Sequence, residues 1–372
     1  MENMIKKLAK NLTENSCRIK EGEHVLISAQ AGYPDALVKE IVKEIYAAGA
    51  YPHIDLTDSS VMRELLLGCS EEQLTVSKKY QMERMQLMDA YIGISSSDNS
   101  YEFSDVPNEK MKLYSRMLNE VLRYRVDRTK WVILKFPNAS LAQAARMSKE
   151  AFTDYFFRVS TFDYGKLSVY TEPLKNLMEK TDRVRITGKG TDLSFSIKDI
   201  PVIPCTGECN IPDGEIFTAP VKDSVNGVIS YNTRNQYQGT VFENIVFKFR
   251  DGKIAEADSN NPALINSILD TDEGSRYIGE FALGLNPFIT EPMLDTLFDE
   301  KICGSFHLTP GAAYDEANNG NESALHWDLV SIQTAEYGGG EIYFDDVLIR
   351  KDGLFVPDEL KILNPDNLRK EL

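Results

Sequence analysis

The chain is poor in the residues that build disulfide frameworks and membrane segments. It has 5 cysteines among 372 residues, an odd number, scattered at positions 17, 69, 205, 209 and 303. We therefore expect no disulfide framework. A reducing, cytoplasmic location is expected instead. No apolar run approaches the roughly 20 residues that cross a bilayer, and the N-terminal stretch lacks a signal-peptide core. We therefore expect no membrane partner.

Positive charge and histidine are also scarce. Lysine and arginine number 41 against 57 aspartates and glutamates, which gives a net charge of −16, and there are 4 histidines. Affinity for phosphate comes from clustered basic residues, so this balance argues against a nucleic-acid partner. An acidic surface attracts cations, but it is not by itself a metal site.

What the first half does contain is an alternation of short apolar runs with amphipathic helices. Strands are predicted at 24–28, 52–56, 90–94 and 131–136. A helix is predicted between the turn at 32–35 and Gly49, two more within 59–88, and further helical stretches at 107–125 and 149–180. Strands separated by helices indicate parallel crossovers. The fold class predicted for residues 1–180 is an α/β N-terminal domain with a mainly parallel sheet. The first turn, from Ser28 to Tyr33, lacks a GxGxxG spacing, so dinucleotide binding is not supported.

The second half has a different pattern of polar and apolar residues. Polar and apolar residues alternate on both sides of turns at 183–197, 244–256 and 341–354, as in β-hairpins, and a helix is predicted at 261–269. Residues 181–372 are therefore predicted to form an α+β, β-rich C-terminal domain. Most of the unusual polar residues of the chain fall in this half.

Two of the four histidines lie in the stretch from Ser305 to Val330. His326 and Asp328 are two residues apart in the apolar run 324–330, and in a β-strand their side chains emerge on one face. An imidazole beside a carboxylate suits zinc, cobalt or manganese. The alternative is a hydrogen-bonded histidine in or near the core, which is also our interpretation of His53.

Two carboxylates and a tyrosine stand near apolar residues in the same half. Glu215 follows a Pro-Asp-Gly turn, where a solvated surface glutamate is the alternative. Glu280 lies in an apolar run, and burying it requires a cation or a salt bridge, for instance to Arg276. Tyr314 follows His307 by seven residues and can serve as a ligand or as a hydrogen-bond donor to developing negative charge, or simply pack in the core.

Together these residues provide three carboxylates and two imidazoles. Such an inventory suits two divalent ions that share one carboxylate, as in co-catalytic hydrolases. A zinc site at Cys205 and Cys209 is a weaker alternative because no second cysteine pair exists. The chain also lacks the GxSxG nucleophile elbow of serine hydrolases. Whether the five residues converge is not visible in the sequence.

Four segments in order carry a family resemblance: NIPDGEIFTAP, DEGSRYIGEFALGLN, SFHLTPGAAY and SALHWDLV. With them the chain resembles, over nearly its whole length, the aminopeptidase T family of thermophilic metalloproteases, which includes the aminopeptidase S and aminopeptidase II groups. The segment 315–323 and the residues before His307 depart from the usual pattern. These departures bear on substrate preference and on the affinity for the second metal.

The resemblance implies a cytoplasmic, homodimeric aminopeptidase with two divalent ions (zinc, cobalt or manganese). A metal-bound hydroxide is expected to attack the N-terminal peptide bond of substrates with a free N-terminus. The family's ligands fall on Glu215, Glu280, His307, His326 and Asp328, with Glu280 as the bridging carboxylate, and its active-site tyrosine falls on Tyr314. The alternatives are a catalytically silent peptide- or metal-binding homologue and a related metal-dependent amidase.

Overall fold

The computed structural model describes residues 1–30, 32, 34–237 and 239–372. The α-helices are α1 Glu2–Lys10, α2 Asp35–Ala47, α3 Ser59–Gly68, α4 Glu71–Met85, α5 Asn108–Arg128, α6 Ala139–Ala144, α7 Lys149–Ser160, α8 Tyr164–Met178, α9 Pro262–Leu269, α10 Thr296–Asp299 and α11 Pro365–Glu371. Within the described residues, none of the helices is both long and apolar enough to cross a membrane. The predicted turn from Ser28 to Tyr33 includes residues 31 and 33, which lie outside the described residues.

The strands are distributed over both halves of the sequence. They are β1 His24–Gln30, β2 Tyr51–Thr57, β3 Ala90–Ser95, β4 Lys130–Lys135, β5 Arg183–Gly188, β6 Thr191–Ser196, β7 Ile203–Cys205, β8 Asn210–Ile211, β9 Glu215–Thr218, β10 Asn226–Ser230, β11 Asn235–Tyr237, β12 Thr240–Phe242, β13 Val246–Arg250, β14 Lys253–Asp258, β15 Ile278–Gly284, β16 Ser305–Pro310, β17 Leu329–Ile332, β18 Gly340–Phe344, β19 Val347–Lys351 and β20 Leu354–Phe355.

One compact unit comprises residues 1–161 and 207–211. Its five strands are parallel and stand in the order β2-β1-β3-β4-β8. Central strands β1 and β3 are largely buried because βαβ crossovers place helices on the sheet. The α/β class with a parallel sheet predicted for the first half is confirmed.

The other compact unit comprises residues 162–206 and 212–372. It holds an antiparallel eight-stranded sheet, β14-β13-β10-β6-β5-β18-β19-β20, and a five-stranded one, β17-β16-β15-β9-β7. The two sheets meet where the ring of Phe195 on β6 packs edge-on against Phe281 on β15, with centroids 5.0 Å apart. The β-rich class predicted for the second half is confirmed, and all three predicted hairpins are present.

The compact units divide the chain at residues 161 and 162 rather than near residue 180. The reason is α8, whose partners lie in the second unit: the Tyr164 hydroxyl accepts a hydrogen bond from Asp213 N at 2.9 Å, and Phe162 just before it packs on Phe288. Residues 207–211 return to the first unit and supply β8. That 1–180 and 181–372 are separate domains stays a prediction.

Candidate metal centre

Three neighbouring strands of the five-stranded sheet position the core of the site. Glu215 on β9 stands opposite Gly284 on β15, and His307 on β16 stands opposite Ala282. Since alternate residues of a strand share a face, positions 280, 282 and 284 lie on one side of β15. Glu280 therefore faces the same side as Glu215 and His307, and all three side chains are buried.

Glu280 lies between the two histidines of the second unit. Its Oε1 is 3.0 Å from His307 Nε2, and its Oε2 is 3.4 Å from His326 Nε2. The two oxygens of one carboxylate therefore face two different imidazoles. Glu280 belongs to two groups of ligand atoms: one with Glu215 and His307, the other with His326 and Asp328. We refer to these groups as the inner triplet and the outer triplet.

Two hydrogen bonds from neighbouring groups orient the outer triplet. His326 Nδ1 donates to Ala312 O at 2.8 Å, which turns Nε2 toward Glu280 and toward Asp328 Oδ1, at 3.4 Å from each oxygen. Thr309 Oγ1 donates to Asp328 Oδ1 at 2.6 Å. Such outer contacts orient metal ligands.

The predicted strand 324–330 is only partly correct. Strand β17 begins at Leu329, while His326 makes an isolated bridge to Gly311 and Asp328 precedes the strand. Trp327 N donates to Pro310 O, so this segment follows β16 without forming a regular ladder. His326 and Asp328 nevertheless lie side by side, because the local hydrogen bonds of their side chains, rather than strand alternation, orient them.

The inner triplet has a buried cation beside it that the sequence analysis did not identify. Lys301 Nζ is 2.6 Å from Glu215 Oε1 and 3.8 Å from Asp213 Oδ1, and it also contacts Glu300 Oε1. Glu215 is thus not the solvated surface glutamate that we considered. The stretch Asp299–Glu300–Lys301 looks like an ordinary charged surface run, so no sequence signal pointed to Lys301.

The electrostatics of the cluster link its imidazoles to its carboxylates. Burial opposes protonation of His307, but the hydrogen bond with Glu280 and the charge of Glu215 raise its pKa to about 9. Burial likewise opposes protonation of His326, yet the charge of Asp328 raises the pKa of His326 well above its ordinary value. Burial raises the pKa of Glu280, but the hydrogen bond with His307 and the close contact with His326 outweigh this and lower it. A metal ion has to displace the protons that the imidazoles hold.

The donor set fits divalent metal ions. Three buried atoms of the cluster have no hydrogen-bond partner among the described residues: Glu215 Oε2, His307 Nδ1 and His326 Nε2. Buried polar atoms in folded proteins are almost always satisfied, so unpaired atoms indicate a missing partner. For Glu215 Oε2 and His326 Nε2, which face the two triplets, a cation is the natural partner. Imidazole and carboxylate together are ligands that suit zinc, cobalt or manganese.

Tyr314 lies at the edge of the cluster. Its ring centroid is 4.6 Å from that of His326 and 5.7 Å from that of Phe217, and about half of its surface is exposed. Partial burial and the negative charges of Asp328 and Glu280 raise the pKa of Tyr314, so the phenol keeps its proton at neutral pH. A protonated phenol beside an open cluster can donate a hydrogen bond to a bound molecule.

The structure also gives the partners of Arg276, Cys205 and His53. Arg276 pairs with Asp270 at 2.6 Å, so the suggested salt bridge from Arg276 to Glu280 is wrong, and the ion-pair contacts of Glu280 are with His307 and His326 instead. Cys205, considered above with Cys209 as a zinc site, lies near Asp213 and Glu215. His53 is hydrogen-bonded, as expected of a structural histidine, with Nε2 2.9 Å from His24 Nδ1.

Comparisons with known proteins identify relatives of this chain. The sequence profile of the family described as thermophilic metalloprotease (M29) matches residues 1–353. Aminopeptidase AmpS of Bacillus subtilis (strain 168) is 26% identical over 359 aligned residues, which cover 85% of this chain and 86% of that protein. Aminopeptidase PepS of Streptococcus thermophilus is 25% identical over 405 aligned residues, with coverages of 95% and 96%.

Solved structures match the fold over nearly the whole chain. Wild-type AmpT from Thermus thermophilus superposes with a TM-score of 0.81 at 22% identity, covering 96% of this chain and 100% of that one. A 2,5-dihydroxypyridine dioxygenase from Pseudomonas putida KT2440 gives a TM-score of 0.62 at 14% identity, with coverages of 97% and 99%. A fold shared with an oxygenase does not decide the chemistry, which has to be argued from the residues of the site.

Proposed function

The chain belongs to the thermophilic metalloprotease (M29) family and is a metal-dependent aminopeptidase, and we propose how its residues serve that activity. Two divalent ions, zinc, cobalt or manganese, are bound by Glu215, Glu280, His307, His326 and Asp328. The observation that carries this proposal is the placement of Glu280, whose two oxygens face His307 and His326 at 3.0 and 3.4 Å. One carboxylate in that position can serve both ions.

The ions, when bound, supply an activated water at neutral pH and polarise the scissile carbonyl. The protein's part is to hold the ligands in place and to limit access of bulk water. Glu215, Glu280 and His307 are buried on paired strands, whereas His326 and Asp328 are partly exposed. The substrate is therefore expected to approach from the side of His326 and Asp328.

Tyr314 is the proposed partner of the substrate carbonyl. Its raised pKa keeps the hydroxyl proton in place, and its ring lies on His326 at the open side of the cluster. A hydroxyl donor aimed at the oxygen on which charge develops stabilises the transition state more than the ground state. Tyr314 would thus lower the barrier without contributing much to substrate binding.

Peptides with a free N-terminus are the proposed substrates. Amino-acid p-nitroanilides should be hydrolysed by protein that has been stripped with a chelator and reloaded with zinc, cobalt or manganese. Glu280→Gln should show no metal-dependent rate, while Glu256→Gln, a change on the exposed surface, should behave like wild type. If no metal raises the rate above that of Glu280→Gln, the proposed site is wrong.

A second substrate comparison separates an aminopeptidase from a general amidase. Free peptides should be cleaved, and the same peptides with an acetylated N-terminus should be rejected. Equal cleavage of both sets would contradict the proposed exopeptidase specificity.

A cytoplasmic location and a homodimer complete the proposal. None of the five cysteines, all of which the structure describes, forms a disulfide, and three of them are buried, which supports a reducing compartment. The homodimer rests on the resemblance to the aminopeptidase T family, and a mass measurement in solution tests it.

A further inference from the structure

Lys301 places a positive charge next to one ligand of the proposed site. Its side chain has no exposed surface, and its ammonium group is paired with Glu215, Glu300 and Asp213. Burying an ammonium group is costly unless it is paired, and these carboxylates pair it. Of the five proposed ligands, Glu215 is the one that Lys301 contacts.

This contact gives the inner triplet an ammonium neighbour, whereas none of the described ion pairs brings a lysine or an arginine to Asp328. In the inner triplet, one oxygen of Glu215 is engaged by an ammonium group at 2.6 Å, and the other oxygen is left for an ion. In the outer triplet, Asp328 is contacted instead by the neutral hydroxyl of Thr309 at 2.6 Å. Glu280 is common to both triplets and therefore does not distinguish them.

A cation beside a ligand has two opposite effects on metal binding. It can orient the ligand, an effect that typically changes metal affinity about 10–100-fold. It also repels the ion and neutralises part of the ligand's charge, and in a buried site this repulsion is weakly screened.

The backbone of Glu215 is held independently of Lys301, which limits how much Lys301 has to orient this ligand. Leu285 N donates to Gly214 O at 2.8 Å, and Asn286 Nδ2 donates to Asp213 O at 2.8 Å, so two hydrogen bonds hold the turn before β9. Strand pairing with β7 and β15 holds the residue itself. We therefore take the repulsion as the larger of the two effects, and the Lys301→Gln variant tests this.

We propose that Lys301 makes the two metal sites unequal, so that the outer triplet fills first and the inner triplet holds its ion more weakly. This inference rests on the proposed function, because it takes the five residues as ligands. It implies that the concentration of free divalent ion controls how much of the enzyme carries both ions.

Single-site variants test the inequality without changing Lys301. His307→Ala removes the unshared histidine of the inner triplet, and His326→Ala removes that of the outer triplet. With cobalt(II) as the probe, calorimetry and native mass spectrometry should show one ion in each variant. We expect the ion in His307→Ala to be bound about 10-fold more tightly, or better, than the ion in His326→Ala. Equal affinities, or the reverse order, would overturn the inference.

A second set of variants assigns the effect to Lys301. In the His326→Ala background, Lys301→Gln should tighten cobalt(II) binding about 10-fold, whereas Lys301→Arg, which keeps the charge, should leave it weak. Lys248→Gln, which removes an exposed lysine, is the matched control and should have no effect. Weaker binding in a folded Lys301→Gln variant would show that orientation dominates instead. If that variant does not fold, the comparison of the single-site variants still decides.

Cobalt(II) binding by the wild-type protein distinguishes a failure of this inference from a failure of the proposed function. Wild-type protein that binds no cobalt(II) would contradict the assignment of the ligands, and with it both proposals. Wild-type protein that binds two ions with the same affinity, and is active, would leave the function intact and overturn the role of Lys301.

Discussion

At the scale of single residues, the site depends on buried charges that satisfy one another. The two imidazoles beside Glu280 lower its pKa, and the surrounding carboxylates raise the pKa of both imidazoles. Removing one member leaves an uncompensated buried charge, which typically costs several kcal/mol. Substitutions at these positions therefore affect folding of the ion-free protein as well as activity.

The pKa of His307 predicts how the stability of the ion-free protein depends on pH. It lies at about 9, above the roughly 6.5 of histidine in an unfolded chain. The protonated ring therefore stabilises the fold fully below pH about 6.5, and the contribution is lost as pH rises through about 9. Urea unfolding should show the difference between wild type and His307→Gln shrinking by about 3 kcal/mol over this range.

His53→Gln is the control for this measurement. Burial lowers the pKa of His53 rather than raising it, so the difference between this variant and wild type should not shrink between pH 6.5 and 9. A difference for His307→Gln that stays constant over the same range would contradict the assigned protonation.

Tyr314→Phe tests the proposed hydrogen-bond donor. The ring packing on His326 and Phe217 is retained, and only the hydroxyl is lost. Donors to a developing oxyanion are worth about 10²–10³ in kcat, so kcat should fall by that order while KM changes little. Tyr337→Phe, outside the cluster, serves as the control. A rise in KM at constant kcat would instead indicate a role in substrate binding.

At the scale of elements, close packing of β15 against the segment after β16 builds the site. A Cβ at Gly279 would lie 2.2 Å from Ala312 O and 2.4 Å from Gly311 O, closer than any side chain tolerates. The same Ala312 carbonyl accepts the hydrogen bond from His326 Nδ1. A glycine beside Glu280 is therefore what lets the His326 segment approach the strand.

Gly279→Ala should accordingly damage both the fold and the site. Overpacking of this kind costs about 1–3 kcal/mol, and displacement of Ala312 should weaken metal binding at the outer triplet. Urea unfolding and a cobalt(II) titration measure the two effects. Gly68→Ala, at the end of α3 where a Cβ meets nothing within 4 Å, is the matched control. An unchanged midpoint for Gly279→Ala would show that β15 can shift freely.

At the scale of the whole molecule, bound ions should couple the site to stability. The chain carries a net charge of −16, and five carboxylates gather around Lys301 and the two histidines of the second unit. Ions that bind the folded chain stabilise it by about 2.7 kcal/mol each at a hundred times their Kd. Removal of metal with a chelator should therefore lower Tm, as scanning calorimetry can measure.

Two variants make this test specific. Glu280→Gln should show no change of Tm on addition of metal, because the shared ligand is lost, whereas Glu256→Gln should respond like wild type. A chelator that removes the metal without lowering Tm would show that the cluster does not depend on its ions.

The sequence by itself determined the two classes of secondary structure and the inventory of the site. Hydrophobic periodicity separates the parallel first half from the antiparallel second half. Strands buried on both faces are continuously apolar, whereas hairpin strands with one solvent-exposed face alternate polar and apolar residues. The family resemblance that the four motifs carry implied the five candidate ligands and Tyr314. These are local signals, and they do not require knowledge of the packing.

Only the tertiary structure decided which residues meet. The register of β9, β15 and β16 puts Glu215, Glu280 and His307 on one face, and contacts between residues distant in sequence set that register. Lys301 could not be found from the sequence, because a lysine after two acidic residues looks solvated until its burial is known. Helix α8 joined the second unit for the same reason: the partners that hold it are far away along the chain.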